Sequence, residues 1–384
     1  MATENGFAKI YSRFTMTTGS KSALVVGSGL TGSTAAWKLA SEGWKVRVHE
    51  SELFVGGHVR TNEFNGLLYE QNAIHVFHTE IEKVFNFIST FTDLIDYKHV
   101  ILTEVEGKAL TWPLQLDELQ SLEMWPTIEE EISRLPSEPD DLNFESYAIS
   151  IMGSTLYKLF VEPYTIKQWA RDPKLLSASF APKRIGLRSD GNKPIFEDKW
   201  QGWPKGGWSK LIENILSENP IEIILGRSEK EKNIDWKSYD AVIVTAPLDD
   251  FLGEEPLPWR GVRVEHHIYP EQIECFLPAG QVNHPGLDAK YTRRTETKWM
   301  SGQRFTHKGS IVTHEFPSSN QKHYPIDDAK GENRKYSNYL KSKLRSEHSN
   351  AIVAGRLANY IYINTDQAIM QGLNAAESAI RATE

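Results

Sequence analysis

From residue 22 onward, apolar and polar positions fall into a repeating order. A short apolar run, Ser22–Val26, predicts a strand. Leu30–Glu42 places Ala35, Ala36, Leu39 and Ala40 at helical spacing and stops at Gly43, and Lys45–Val48 predicts a second strand. Together they make a β-α-β unit of about 30 residues.

Residues 78–160 change to long amphipathic patterns: Ile81, Val84, Phe85, Phe87 and Ile88, then 114–132, then 147–160. Prolines at 113, 126, 136 and 139 punctuate them, and the stretch reads as a helical insert. From about residue 180 to 325 strand patterns dominate. Val262–Glu265 and Ser310–Phe316 alternate as half-buried strands do. Ala241–Thr245 is continuously apolar, like a buried parallel strand. At the end Ala351–Ala354 is a short strand, and residues 367–383 place Ile369, Leu373, Ala376 and Ile380 on one helical stripe.

The expected fold class is α/β. A discontinuous Rossmann-like domain takes 22–95, 208–247 and 327–384. A helical domain takes 96–160, and an antiparallel β-sheet domain takes 161–207 and 248–326. Residues 1–21 are polar and lack the apolar core of a secretory signal, so they are read as a flexible leader.

Composition narrows the chemistry. A net charge of −8 disfavours nucleic acid as a partner, because neutralising phosphates needs a basic field. With Cys275 as the single cysteine, no disulfide within the chain and no thiolate cluster can form. His266 and His267 adjoin in a strand-like run and should point to opposite faces, so no metal site is expected. No run of about 18 apolar residues is present, so no membrane span is expected, and the reading places the protein in the cytoplasm.

Between the first strand and helix lies Gly27-x-Gly29-x-x-Gly32, with Glu50 ending the second strand. The motif alone is weak; strand before, helix after and an acid about 20 residues on make it a dinucleotide cradle. Gly27 makes the tight turn, Gly29 lets the backbone approach a pyrophosphate, and Gly32 lets helix and strand pack closely. Leu30 and Thr31 open the helix whose N-terminus favours the anion, and Glu50 can accept from a ribose 2′-hydroxyl. A second diglycine, Gly56-Gly57-His58, follows the acid, a spacing that favours FAD over NAD. NAIHVFHT at 72–79 sets His75 and His78 beside the cradle. Aromatic–arginine pairs recur around Tyr164 and Trp169, Arg184 and Arg188, Tyr291 and Arg293, and Arg356 and Tyr362. Such pairs suit a nucleoside diphosphate, aromatics stacking the base and arginines holding phosphate. Any one pair taken singly is as well explained by a surface arginine near a core tyrosine.

GSGLTG, GGH, IHVFHT, YTIKQW, KRIGLR, GWPKGGW, KYTRR, HYPIDD and the GRLANYIYIN–DQAI ending occur in this order. Over residues 22 to about 380 the chain resembles the bacterial UDP-galactopyranose mutases. The resemblance implies interconversion of the pyranose and furanose forms of a nucleoside-diphosphate sugar. Reduced FAD would act through N5 as nucleophile at the anomeric carbon, with no net redox and with NAD(P)H or another external reductant keeping the flavin reduced. It implies Arg188 at the diphosphate, Arg293 beside the flavin, His78 near the reacting nitrogen and Arg356 on the phosphates of FAD. Tyr164 would stack the base, Trp169 would line the sugar and base pocket, and Tyr362 would bind the diphosphate. Family members are often dimers, so a homodimer is among the partners the resemblance allows.

Several positions depart from the family pattern: Phe316 and Trp200 where tyrosines are usual, Gln115 for an asparagine, Ile363 for a tyrosine and Asn364 for an aspartate. These substrate-side changes leave the nucleotide open between UDP and GDP. The alternative activity for such a cradle is that of a conventional FAD-dependent amine oxidase or desaturase. A further alternative is an FAD-binding protein without turnover.

Overall fold

The computed structural model describes residues 20–180 and 185–384, so Arg184 and nearly all of the expected leader lie outside the described residues. Five parallel strands form the central sheet in the order Ile221–Ile224, Lys45–His49, Ser22–Val26, Ala241–Val244, Ala351–Val353. Alternation along them sends side chains to both faces. Ala23, Val25, Val46, Val48 and Ile243 pack under the helices Leu30–Ser41, Gly207–Ser217 and Thr365–Thr383. Leu24, Val26, Val242 and Val244 face the opposite side, against Phe251, Leu340 and Leu344. Each fully buried Val, Leu or Ile contributes about 1.5–3 kcal/mol. The chain leaves Ser22–Val26 toward one side and returns on the other, so a crevice opens at the carboxyl ends of the central strands. The C-terminal helix crosses Leu30–Ser41 at Gly372, where a Cβ would lie 2.5 Å from the Thr31 carbonyl oxygen.

A seven-stranded sheet covers the crevice, in the order Tyr324–Pro325, Trp259–Tyr269, Ser310–Ser318, Arg293–Thr295, Gln281–Asn283, Ile101–Val105, Lys108–Trp112. Its pairings are antiparallel except that between Gln281–Asn283 and Ile101–Val105. Its last two strands come from the stretch read as helical. Their hairpin turns at Glu106 and Gly107, both in the left-handed region (φ 53° and 73°), as a two-residue hairpin loop requires. A three-stranded sheet, Phe77–Thr79, Trp200–Pro204 and Leu94–Asp96, joins this layer to the Rossmann-like part. The helices of the insert enclose a separate core around Leu114, Ile128, Phe144, Met152 and Phe160. They continue past residue 160 through a π turn, Tyr157–Val161, into the helix Glu162–Trp169. That helix ends where Ala170 turns left-handed at φ 49°.

Candidate functional site

The cradle is built by close approach of backbone. Gly27 has φ +100°, and a Cβ there would lie 2.3 Å from the Thr245 hydroxyl. A Cβ on Gly32 would lie 2.0 Å from the Gly27 carbonyl oxygen, so helix and strand can meet only at a glycine. Gly29 differs: its Cβ would meet nothing nearer than the Gly57 Cα, at 3.9 Å. Gly29 bridges Gly56, whose N–H donates to the Ser28 carbonyl at 3.0 Å, so the two glycine segments lie side by side. The side chains of Leu30 and Thr31 are spent on packing; Leu30 is in the core and Thr31 Oγ1 donates to the Ala368 carbonyl at 3.0 Å. What these residues offer is the first-turn N–H groups, which have no partner within a helix. Glu50 accepts the N–H and hydroxyl of Ser28 at 2.8 and 2.6 Å, and the N–H of Glu52 at 2.9 Å. Free space in front of Gly29, first-turn donors and a carboxylate one strand away fit a dinucleotide.

Where the covering sheet faces the crevice, Arg293 Nε donates to Glu315 Oε2 at 2.6 Å, and Glu315 Oε1 accepts the Ile74 N–H at 3.2 Å. Burial opposes the charge of Arg293, but Glu315 and the nearby Tyr324 and Tyr164 oxygens hold the guanidinium protonated, well above its usual range. Burial raises the Tyr164 and Tyr324 phenols, against the lowering pull of Arg293. Tyr324 stacks on Tyr362 with centroids 5.8 Å apart and meets Trp169 edge-on at 5.9 Å. The Arg356 guanidinium lies over both tyrosine rings, 5.3 and 4.9 Å from their centroids, and donates to the Ile363 carbonyl. Arg356, whose expected role was on FAD's phosphates, thus sits among the tyrosines and also beside His58 of the cradle.

The YTIKQW segment is latched to the loop between Gln281–Asn283 and Arg293–Thr295: Lys167 Nζ donates to the His284 and Ala289 carbonyls at 2.7 and 3.1 Å. The Thr292 hydroxyl donates to Gln168 Oε1 at 3.0 Å. His58 stacks on His323 at 3.8 Å with the rings 10° from parallel. His75 lies beside Glu70, Nδ1 to Oε2 3.6 Å, and its backbone carbonyl accepts the indole N–H of Trp208 at 3.0 Å.

A second group forms on the three-stranded sheet. His78 Nδ1 lies 3.0 Å from Asp198 Oδ2, and its ring stacks on Phe196 at 3.6 Å. Asp366, in the first turn of the C-terminal helix, accepts from the Thr79 hydroxyl at 3.4 Å; burial raises its carboxyl, with nearby His78 working against the shift. Asn364 caps that helix through a reciprocal capping box with Gln367. Arg188 donates to the Asn192 and Pro194 carbonyls at 3.2 and 2.7 Å and faces Glu197 at 3.4 Å. Gln115, opposite Arg188 in the strand pair, donates to the same Asn192 carbonyl at 2.9 Å, and its Oε1 is buried without a partner among the described residues. Trp200 stacks on Phe85 at 4.7 Å and helps line a cavity of about 530 Å³ with Lys98, Phe196, Asp198 and Lys199.

Phe316 is not brought to the site. Strand alternation turns Glu315 inward, so Phe316 points outward, under the Arg263 guanidinium at 4.2 Å and against Tyr291. Tyr324, from the neighbouring segment, places a phenol beside Arg293. Glu315, His323, Tyr324, Phe196, Asp198 and Asp366 are the site residues that sequence reasoning passed over. Of these, His323 and Tyr324 had a signal in the HYPIDD block and Asp366 in the DQAI ending. Among the described residues one trio of side chains has the spacing of metal ligands, Glu231, Glu347 and His348, with ligand atoms within 4.8 Å.

Burial holds the His75 and His323 imidazoles neutral, down to about 3 and about 4. Unfolded, both titrate near pH 6.5, so between those values the unfolded chain binds more protons. Stability is then full above pH about 6.5 and falls on acidification, by about 1.4 kcal/mol per pH unit for each histidine. Urea denaturation of the ligand-free protein at pH 7, 6 and 5 measures this slope, and a flat profile contradicts the placement of both rings.

Comparison with known proteins gives matches along almost the whole chain. A family model described as UDP-galactopyranose mutase matches residues 159–362, and one described as an NAD(P)-binding Rossmann-like domain matches residues 25–91. A probable UDP-galactopyranose mutase of Klebsiella pneumoniae is 28% identical over 93% of this chain and 94% of its own length. A dTDP-fucopyranose mutase of Escherichia coli is 29% identical over 93% of this chain and 98% of its own. A crystal structure of reduced UDP-galactopyranose mutase superposes with TM-score 0.77 at 17% identity, covering 94% of this chain and 96% of that one. Putrescine oxidase shares the fold at TM-score 0.56 and 13% identity, covering 94% of this chain and 99% of that one.

Proposed function

Because the chain belongs to the UDP-galactopyranose mutase family, we propose that it interconverts the pyranose and furanose forms of a nucleoside-diphosphate hexose on bound, reduced FAD. It is an isomerase of the pyranose-mutase kind. The observation that carries the finer reading is the assembly of Arg293, Arg356, Tyr164, Tyr324, Tyr362 and Trp169 over the crevice that the cradle opens into. An oxidase of small amines has no use for two guanidiniums and three phenols converging on one place, whereas a sugar diphosphate does.

The cradle residues Gly27, Gly29, Gly32, Glu50 and Gly57 would hold FAD. That cofactor supplies, when reduced, a nitrogen nucleophile for the anomeric carbon, kept reduced by NAD(P)H or another external donor. The protein supplies the rest. Arg293, locked by Glu315, presents a fixed positive charge that needs no reorganisation during the reaction. Arg356 and the Tyr324 and Tyr362 phenols would receive the diphosphate as it departs and hold it for return. Trp169, edge-on to Tyr324, would close one side of the sugar pocket, and Tyr164 would serve the base or the sugar from the same helix. Arg188 faces the exposed carboxylate of Glu197, which an incoming phosphate would displace. His78, held by Asp198 and Phe196, would flank the cofactor.

UDP and dTDP are the nucleotides to test first, since a UDP-galactopyranose and a dTDP-fucopyranose mutase resemble this chain about equally. GDP-galactose is kept as a third substrate because the departures at Trp200, Gln115, Ile363 and Asn364 remain, although Phe316 lies under Arg263 on the outer face of its strand. The test is turnover of the FAD-loaded, dithionite-reduced protein on UDP-galactose, dTDP-fucose and GDP-galactose, with pyranose and furanose resolved by chromatography. A furanose product from at least one supports the reading, and none from any contradicts it. Arg188→Ala is expected to keep its flavin and lose turnover about 100- to 1000-fold, the usual cost of one transition-state donor. A flavin-free Arg188→Ala protein moves this residue to the cofactor side.

A further inference from the structure

His323 lies 1% exposed, yet neither of its ring nitrogens has a hydrogen-bond partner among the described residues. The Gln321 carbonyl lies near and favours its protonated form, second only to burial in its effect, but is not at hydrogen-bonding geometry. The ring is pressed flat on His58, which follows the second diglycine of the cradle. The groups that face this pair are cationic or neutral. Arg356 comes from the turn after the last strand and Arg293 from the covering sheet; His75 comes from the segment leading into Phe77–Thr79, and Tyr324 from the next position in the chain. Lys322, on the other side, is taken by Asp249 and Asp250 at 2.6 and 2.9 Å. A buried imidazole almost always has a partner. Here its surroundings offer it two guanidiniums, of which Arg293 is already paired with Glu315, and another imidazole, but no partner of its own.

We infer that His323 is a further ligand-binding residue, which donates a hydrogen bond as imidazolium to a pyrophosphate oxygen of a bound nucleotide and takes up a proton when that anion arrives. The inference rests on the reading above, that nucleotides bind in this crevice. The pyrophosphate is either that of the cofactor, which the cradle beside His58 would hold, or that of the sugar nucleotide, which Arg293 and Tyr324 would hold. The proton balance is simple. In the empty protein, burial, aided by the two arginines and opposed by the Gln321 carbonyl, keeps the ring neutral; a diphosphate brings negative charge against the ring, and the ring gains one proton from solvent. The stack on His58 fixes the ring plane, so the donor is positioned before the ligand enters.

The test is titration calorimetry at pH 7 in two buffers of different ionisation enthalpy, which counts protons taken up on binding. FAD is titrated into flavin-free protein in one arm, and UDP or dTDP into FAD-loaded protein in the other. Wild-type protein is expected to take up close to one proton in the arm that His323 serves, which names the source of the pyrophosphate. His323→Phe keeps the stack and removes both nitrogens; it should abolish that uptake and weaken that ligand about 10- to 100-fold. His323→Gln keeps a donor but cannot titrate; it should recover most of the affinity and still show no uptake. Should the Phe variant fail to fold by circular dichroism, the Gln variant decides by its uptake alone. Wild-type affinity and wild-type uptake in the variants overturn the role of His323 and leave the mutase reading standing. Absence of any FAD or nucleotide binding by the wild-type protein overturns that reading and the inference with it.

Discussion

Arg293→Ala is expected to abolish measurable turnover and to lower the stability of the protein by about 3–5 kcal/mol, the cost of leaving one partner of a buried pair alone. Glu315 is 1% exposed, and its Oε2 accepts from Arg293. What remains for the carboxylate is the Ile74 N–H at 3.2 Å and the Thr295 hydroxyl at 3.5 Å, both on the other oxygen. Tyr164 and Tyr324 also lose the cation against which they are set. The two effects separate in a double variant. Arg293→Met with Glu315→Leu removes both charges, so stability by urea denaturation should return to within about 1–2 kcal/mol of wild type, since an apolar pair often replaces a buried ion pair at little cost. Turnover should stay lost, because the fixed positive charge is gone. Recovery of turnover in the double variant contradicts the assignment of Arg293 to the reacting centre and leaves it a purely structural partner of Glu315.

Gly29→Ala is expected to fold normally and to purify without flavin. Gly29 has φ −66°, which any residue adopts, and its Cβ would make an ordinary contact at 3.9 Å. Nothing in the protein itself requires a glycine there, so the requirement must come from what binds in front of it. Gly32→Ala is the opposite case. Its Cβ would sit 2.0 Å from the Gly27 carbonyl oxygen, so helix and strand must part, at a cost of about 1–3 kcal/mol or more. Absorbance at the flavin maximum and a thermal melt of the flavin-free proteins distinguish them. Gly29→Ala should lose the colour and keep the melting temperature; Gly32→Ala should lose both. Full flavin occupancy in Gly29→Ala contradicts the cradle.

The Rossmann-like half was legible because its signals are local. A continuous apolar strand, a glycine turn and an amphipathic helix each carry their own pattern, and Ala241–Val244 was readable as a buried parallel strand 215 residues after its neighbour Ser22–Val26. The hairpin Ile101–Trp112 was hidden inside a stretch dominated by helical periodicity, and only its Glu106-Gly107 turn marked it. Pairing of Ile101–Val105 with Gln281–Asn283 is set by contacts far apart in the chain, which no window of sequence displays. The same distinction holds in the site. Arg293 and Tyr362 stood in recognisable blocks, but the strand parity that turns Glu315 in and Phe316 out depends on which face the sheet covers. Asp198 and Phe196 reach His78 only because Trp200–Pro204 pairs with Phe77–Thr79.

The central claim is that reducing equivalents are borrowed and returned in each cycle, so that sugar is rearranged without oxidation. The direct measurement is stoichiometry. FAD-loaded protein is reduced once with a counted amount of dithionite under anaerobic conditions and given excess UDP-galactose or dTDP-fucose, and furanose product is quantified against the reducing equivalents remaining. Many product molecules per reduced flavin, with the flavin still reduced at the end, is the predicted result. Reoxidation of the flavin in step with consumption of the sugar nucleotide, or reduced flavin with no furanose from either substrate, contradicts it.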